Sequence, residues 1–234
     1  MKIVSSRPDD VSAQQREVLE SAGHVVLHVP ATQIIPTTPT VPLPLTNFEV
    51  IAMMSPRAVA AAWELLEGAT PPPVMVVGKA TARAATDAGF DVRVVVSETA
   101  EMDSLAGELA TRVDVGSCAS IGARAPRPEF GELLSKRGIL HHHYAVYATE
   151  PLSWSDEQSE VVRTADLIIV GAPSQWAVVR QVATPTTPLL TMGTTTAALA
   201  REDGFHTIAA KESEWWAELL RFLALEEAFG EPIG

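Results

Sequence analysis

The chain writes nearly the same pattern twice, VVGKATARAATDAGF over 76–90 and TMGTTTAALAREDGF over 191–205. Aligned, Gly78 falls on Gly193, Thr81 on Thr196, Ala82 on Ala197, Ala85 on Ala200, Gly89 on Gly204 and Phe90 on Phe205. A second pair precedes it, VIAMMSPRAVAAAW from 50 and LIIVGAPSQWAVV from 167, which puts Pro56 on Pro173. Each copy reads as strand, Ser/Ala-Pro turn, helix, strand, Gly-x-x-Thr-Ala helix, Gly-Phe, strand. A block of that order occurring twice restricts the chain to an α/β architecture of two similar domains.

The rest of the chain keeps the same rhythm. Strand-sized apolar runs stand at 3–4, 24–30, 50–54, 74–78, 91–96, 115–121, 144–148, 166–171, 189–193 and 206–210, with amphipathic stretches between most of them. That alternation predicts parallel sheets with right-handed crossovers, flanked by helices. The first helix has Asp10 as its expected N-cap, Val18, Leu19 and Ala22 as its apolar stripe, and Gly23 as its stop. Two stretches break the rhythm. IIPTTPTVPLPLTNF (34–48) holds four prolines and reads as a semi-extended connector, not a central strand or helix. YATEPLSWSDEQ (147–158) is a polar loop after a strand. If both are crossings between domains, the chain leaves the first domain near 35 and returns near 150. Two consecutive domains fit the same pattern.

Composition narrows the classes. With 234 residues, 47% of them apolar, the chain can bury sizeable cores, and no apolar run reaches the length of a membrane span. The opening MKIVSSRPDD reads as a first strand and not a signal peptide, because charge and proline arrive too early. Cys118 is the only cysteine, which excludes an internal disulfide and fits a reducing, cytoplasmic setting. It reads as a small buried hydrophobe. The net charge of −12, with no basic stripe, argues against a nucleic-acid partner. An anionic small molecule remains compatible, since local donors decide its binding.

Two readings of the repeated turns stand side by side. Glycine after a strand permits a tight turn, threonine caps a helix start, and Gly-Phe ends the helix, so the repeat can be purely structural. Yet the loops at the carboxyl ends of parallel strands form the ligand crevice of open α/β sheets. Helix N-termini there offer N–H groups and positive dipole ends. Beside them the sequence sets hydroxyls at Ser55, Thr81, Ser174, Thr194, Thr195 and Thr196. Two such ends facing each other would suit carboxylates.

Several motifs are missing. No Gly-x-Gly-x-x-Gly or Gly-x-Ser-x-Gly occurs. GKAT fails as a phosphate loop, because Ala80 follows Lys79 and Pro73 stands where a glycine is needed. The run His141, His142, His143 alternates faces if it is a strand, so the three cannot meet one ion, and it reads as a solvated or half-buried strand start. Trp215 and Trp216 lie on the last helix and are expected to pack there.

Taken in order, VSSRPDD, MMSPRAV, VVGKATARAATDAGF, VYATEP and TMGTTTAALAREDGF resemble the motifs of the uroporphyrinogen-III synthase family, over essentially the whole length. The resemblance implies two α/β domains joined by a two-stranded ladder, the first discontinuous: 1–35 with 150–234, then 40–143, with 28–36 and 144–150 as the ladder. It implies a cofactor-independent, metal-free lyase of tetrapyrrole biosynthesis that cyclises hydroxymethylbilane with inversion of ring D and loss of water. It implies substrate-binding roles for Arg7, Ser55, Arg57, Gly78, Lys79, Thr81, Ser174, Gly193, Thr195 and Thr196. Tyr147 becomes the expected general acid, its competing role being simple packing in the hinge. The expected partner is the small-molecule substrate, with no nucleic acid and no membrane, for a monomer that meets the preceding pathway enzyme at most transiently. Two departures stand out. Ala172 occupies a position where serine is usual, and CASIGARAPRPEFGELL follows the family's arginine stretch loosely, with Arg124 and Arg127 as its candidates. A tetrapyrrole-binding protein without turnover is the alternative. A regulator domain is a third reading, supported by no helix-turn-helix and no basic patch.

Overall fold

Within a computed structural model of the chain, residues 1–40, 43–96, 108, 115–126, 128–211 and 214–224 are described. The chain divides into two units, Met1–Ile34 with Thr149–Gly234, and Ile35–Ala148.

The first unit is built on a sheet of five parallel strands. These are β1 (Lys2–Ser5), β2 (Val25–His28), β9 (Leu167–Val170), β10 (Leu189–Met192) and β11 (Thr207–Ala210), in the order β11-β10-β9-β1-β2. Their near-unbroken apolar runs follow from burial on both faces; Leu167–Val170 is buried at every position. Helices α1 (Ala13–Ser21) and α8 (Trp215–Phe222) cover one face, where Leu19, Trp215, Trp216, Leu219 and Leu220 meet Ile3, Leu167 and Leu190. Helices α5 (Asp156–Arg163), α6 (Pro173–Val179) and α7 (Thr194–Glu202) supply Val162, Trp176, Val179 and Ala200 to the other face. Both tryptophans of α8 pack as expected. The cap of α1 differs from expectation. Ser12, not Asp10, is the N-cap, because Ser12 and Gln15 close a reciprocal capping box. Asp10 instead accepts the Val11 N–H and pairs with Arg16.

A second sheet has six strands in the order β3-β8-β7-β4-β5-β6; it belongs to the second unit except for residues 32–34 of β3 and 149–151 of β8, which fall in the first. Its strands are β3 (Thr32–Pro36), β4 (Val50–Met53), β5 (Val74–Val77), β6 (Val92–Val96), β7 (Ser117–Ala123) and β8 (Leu140–Pro151). From β8 to β6 the pairing is parallel. Helices α2 (Pro56–Leu66) and α3 (Lys79–Asp87) bury Ala58, Val59, Ala62, Leu66 and Ala85 on one face. On the other face α4 (Pro128–Lys136) buries Phe130 and Leu134 against Val50, Ala52, Met75 and Cys118. Cys118 is buried and free, and burial pushes its thiol up to about 12, as expected of an inert hydrophobe.

Two strands depart from the expected pattern. Apolar patterning places a strand over 144–148; β8 runs longer at both ends, from Leu140 to Pro151, and takes in the three histidines read as a strand start. The proline-rich connector begins as a strand, and β3 lies at the sheet edge, where Pro36 can be tolerated. Thr37 N–H bonds Val146 O and Leu152 N–H bonds Ala31 O, each at 2.9 Å, so β3 and β8 run in opposite senses. Among the described residues no helix is long and apolar enough to cross a membrane.

Candidate active site

The sequence repeat is a repeat of geometry. Gly78 and Gly193 are the N-caps of α3 and α7, at φ 81°, ψ 153° and φ 87°, ψ 153°. Positive φ is why glycine stands at both positions. The Gly78 N–H bonds Val96 O at 2.9 Å and its carbonyl accepts Ala82 N–H at 3.1 Å. The Gly193 N–H bonds Ala210 O at 2.7 Å and its carbonyl accepts Ala197 N–H at 3.4 Å. Each glycine thus hooks onto the end of the next strand and starts its helix with no side-chain cap. The glycine N–H groups are spent in this way, so any donors to a ligand belong to the residues that follow, beginning at Lys79 and Thr194.

The threonines divide into two kinds. Thr81 and Thr196 are only 2% and 1% exposed. Both stand at the third position of their helices, facing the sheet, so neither side chain lines the open surface of its turn. Lys79, Thr194 and Thr195 are exposed.

In the second unit the other candidates collect at the same end of the sheet, since parallel neighbours end together. Ser55 caps α2, its hydroxyl accepting Arg57 N–H at 3.3 Å, with Pro56 at the first helical position. Arg57 and Arg124 are exposed after β4 and β7, and Lys79 follows β5. Arg127 lies outside the described residues. Tyr147 stands on β8 opposite Ala123, and its carbonyl accepts Arg124 N–H at 2.6 Å. Its side chain is half-buried beside the cluster of Tyr144 and Val146, with no hydrogen bond to the phenol among the described residues.

In the first unit Arg7, Ser174 and Thr195 follow β1, β9 and β10, which are adjacent in the sheet. The Arg7 guanidinium lies over the Trp215 ring, 5.1 Å from its centroid, and its carbonyl accepts from His28 Nε2 at 2.9 Å. Ala172 is the N-cap of α6 at φ −154°, ψ 158°, nearly the conformation of Ser55, but without a hydroxyl to cap with. The buried Gln175 braces that turn instead, its Oε1 accepting Gly171 N–H at 2.6 Å. Three supporting groups were not anticipated: Trp215 under Arg7, Gln175 inside the second Pro turn, and the histidines of β8. Gln175 had a signal, a glutamine three places after a cap position. Trp215 had none, because its partner lies at the other end of the chain.

The histidines are half-buried on β8 as expected, and among the described residues no three His, Cys, Asp or Glu form a metal-binding group. Burial lowers His141 to about 4, with the charges of His143 and His142 adding to the effect.

The family model described as uroporphyrinogen-III synthase HemD matches residues 13–216. No curated protein matches the chain in sequence. Among solved structures, uroporphyrinogen-III synthetase from Helicobacter pylori 26695 superposes with a TM-score of 0.68 at 18% identity, covering 95% of this chain and 99% of that one. A mutant uroporphyrinogen III synthase from the extremely thermophilic bacterium Thermus thermophilus superposes with a TM-score of 0.61 at 17% identity, covering 97% and 99%. At these identities the superpositions speak to the fold alone.

Proposed function

The chain belongs to the uroporphyrinogen-III synthase family, and on that premise we propose that it closes hydroxymethylbilane into the type III macrocycle, inverting ring D and expelling water. The family match across 13–216 carries this reading. In the proposed route the terminal hydroxyl leaves as water once protonated and an azafulvene cation remains. The substituted carbon of ring D attacks that cation to give a spiro intermediate, which rearranges to the inverted ring. Unassisted closure gives the uninverted isomer. The protein therefore has to hold the chain curled and to stabilise a delocalised cation, which is positioning and electrostatics, not nucleophilic chemistry.

Tyr147 is the proton donor in this reading. Its phenol is half-buried and without a hydrogen bond among the described residues, so it is available to a leaving hydroxyl. The phenolate left behind is a counter-charge for the cation. The eight substrate carboxylates draw on Arg7, Arg57 and Lys79, on the hydroxyls of Ser55, Ser174 and Thr195, and on the N–H groups of the first turns that Gly78 and Gly193 open. Thr81 and Thr196 contribute through those backbone turns. The protein acts as a cytoplasmic monomer on a small molecule, with at most a transient contact to the enzyme that supplies it; sedimentation velocity checks the monomer.

The test is isomer analysis of the macrocycle formed from hydroxymethylbilane. Type III product is expected in excess of the spontaneous type I. Type I alone would leave a tetrapyrrole-binding protein without turnover.

A further inference from the structure

We propose that His143, held by Ser120 and His141, is a positioning residue for Tyr147. The inference rests on the reading of Tyr147 as proton donor. Ser120, His141 and His143 share the sheet face covered by α4. Ser120 Oγ lies 2.8 Å from His141 Nε2 and 2.8 Å from His143 Nδ1, and His143 Nε2 lies 2.8 Å from the carbonyl of Ala123. A carbonyl can only accept, so His143 carries its proton on Nε2. Its neutral Nδ1 then accepts the Ser120 hydroxyl proton, and the Ser120 oxygen accepts from His141 Nε2–H. Every proton of the relay has one place. The chain of bonds ends on Ala123.

Ala123 is where the β7–β8 register breaks. From Ser117↔Leu140 to Gly122↔Ala145 the pairing advances one for one; Ala123 then pairs with Tyr147, leaving Val146 as an extra residue. By strict alternation Tyr147 would share the face of His141 and His143. The inserted residue turns it over, and it packs with Tyr144 and Val146 on the opposite face. A bulge leaves backbone groups short of ladder partners, and here a histidine side chain holds the carbonyl of the residue opposite Tyr147. Arg124 N–H, the next donor along, takes the Tyr147 carbonyl. His143 thus fixes the backbone on which the phenol is aimed.

The test separates the two ends of the imidazole. His143→Gln keeps an N–H at the level of Nε2 and so can still hold Ala123. His143→Asn reaches only as far as Nδ1 and cannot. The chain has two tyrosines, so tyrosine labelled at the ring carbon next to the hydroxyl gives two assignable NMR signals. His143→Asn is expected to move the Tyr147 signal and not that of Tyr144, and to lower kcat about tenfold with KM unchanged. His143→Gln is expected to restore both. In a Tyr147→Phe background, His143→Asn should cost nothing further. An unmoved Tyr147 signal in His143→Asn overturns the proposal, and so does an equal kcat loss in the Tyr147→Phe background. Should Tyr147→Phe itself run at the parental rate, the acid role fails, while the Tyr147 signal still decides whether His143 positions the ring. If His143→Asn does not fold, Ser120→Ala, which frees Nδ1, must move the same signal.

Discussion

Tyr144 and Tyr147 stand on one strand in different chemical situations. Tyr144 is fully buried, its hydroxyl donates to Leu43 O at 2.5 Å, and burial raises its phenol above the usual range. Tyr147 is half-buried with its phenol unengaged among the described residues. Tyr147→Phe is therefore expected to slow type III formation by about 10²-fold or more, measured in single-turnover isomer assays, the scale of a lost general acid. Tyr144→Phe is expected to lower stability by about 1 kcal/mol, measured by urea unfolding, because the Leu43 carbonyl loses its donor. His141 gives a pH signature. Its folded value, about 4, lies below the ordinary 6.5, so the unfolded chain binds the proton more readily between those values. Stability present above pH 6.5 is lost as the pH falls towards about 4, and levels off below. His143, also lowered by burial, acts in the same direction. The midpoint of urea unfolding should fall over that window in the parent and fall less in His141→Gln. The sequence shows three adjacent histidines and their alternation. It does not show that Ser120, on another strand, meets two of them.

Among the elements, the two Pro turns offer a controlled comparison. Ser55 and Ala172 have closely similar backbone angles at the same position, but Ser55 caps its helix and Ala172 does not. Ala172→Ser should stabilise the protein by about 1 kcal/mol, read as a higher urea midpoint at unchanged slope. Gln175→Ala should cost about 1–3 kcal/mol, because Gly171 N–H would lose the partner that holds the turn. The repeated Gly-x-x-Thr-Ala helices were legible down to the residue that starts each one, since a glycine that must take positive φ leaves a mark on sequence. Which way each threonine faces was not legible. Two adjacent helical positions differ by about 100° around the axis, and only packing against the sheet decides that Thr196 is buried while Thr195 is exposed. The start of β8 was legible only as a histidine run that could open a strand: histidines carry no strong strand signal, and pairing with β7 makes them one.

At the scale of the molecule, each unit has its own apolar clusters, those of Ile3, Leu19 and Trp176 in one and those of Ile51, Ala119 and Phe130 in the other. Leu19→Ala should cost about 2–5 kcal/mol. Hydrogen exchange should show the loss of protection in β1, β9 and β10, with β4 and β7 keeping theirs. A loss spread equally over all five strands would show that the two units open as one. The sequence by itself determined the class of the molecule: strand–helix alternation, parallel sheets buried on both faces, and a duplicated block with its glycines and prolines in place. It could do so because periodicity and backbone restriction are local, and each residue carries them wherever it sits. The tertiary structure alone decided two supports of the candidate site: Trp215 beneath Arg7, and the bulge that turns Tyr147 over beside Ala123. Those contacts join residues distant in the chain or set a register between strands, and no local preference records which partner the folded chain will bring.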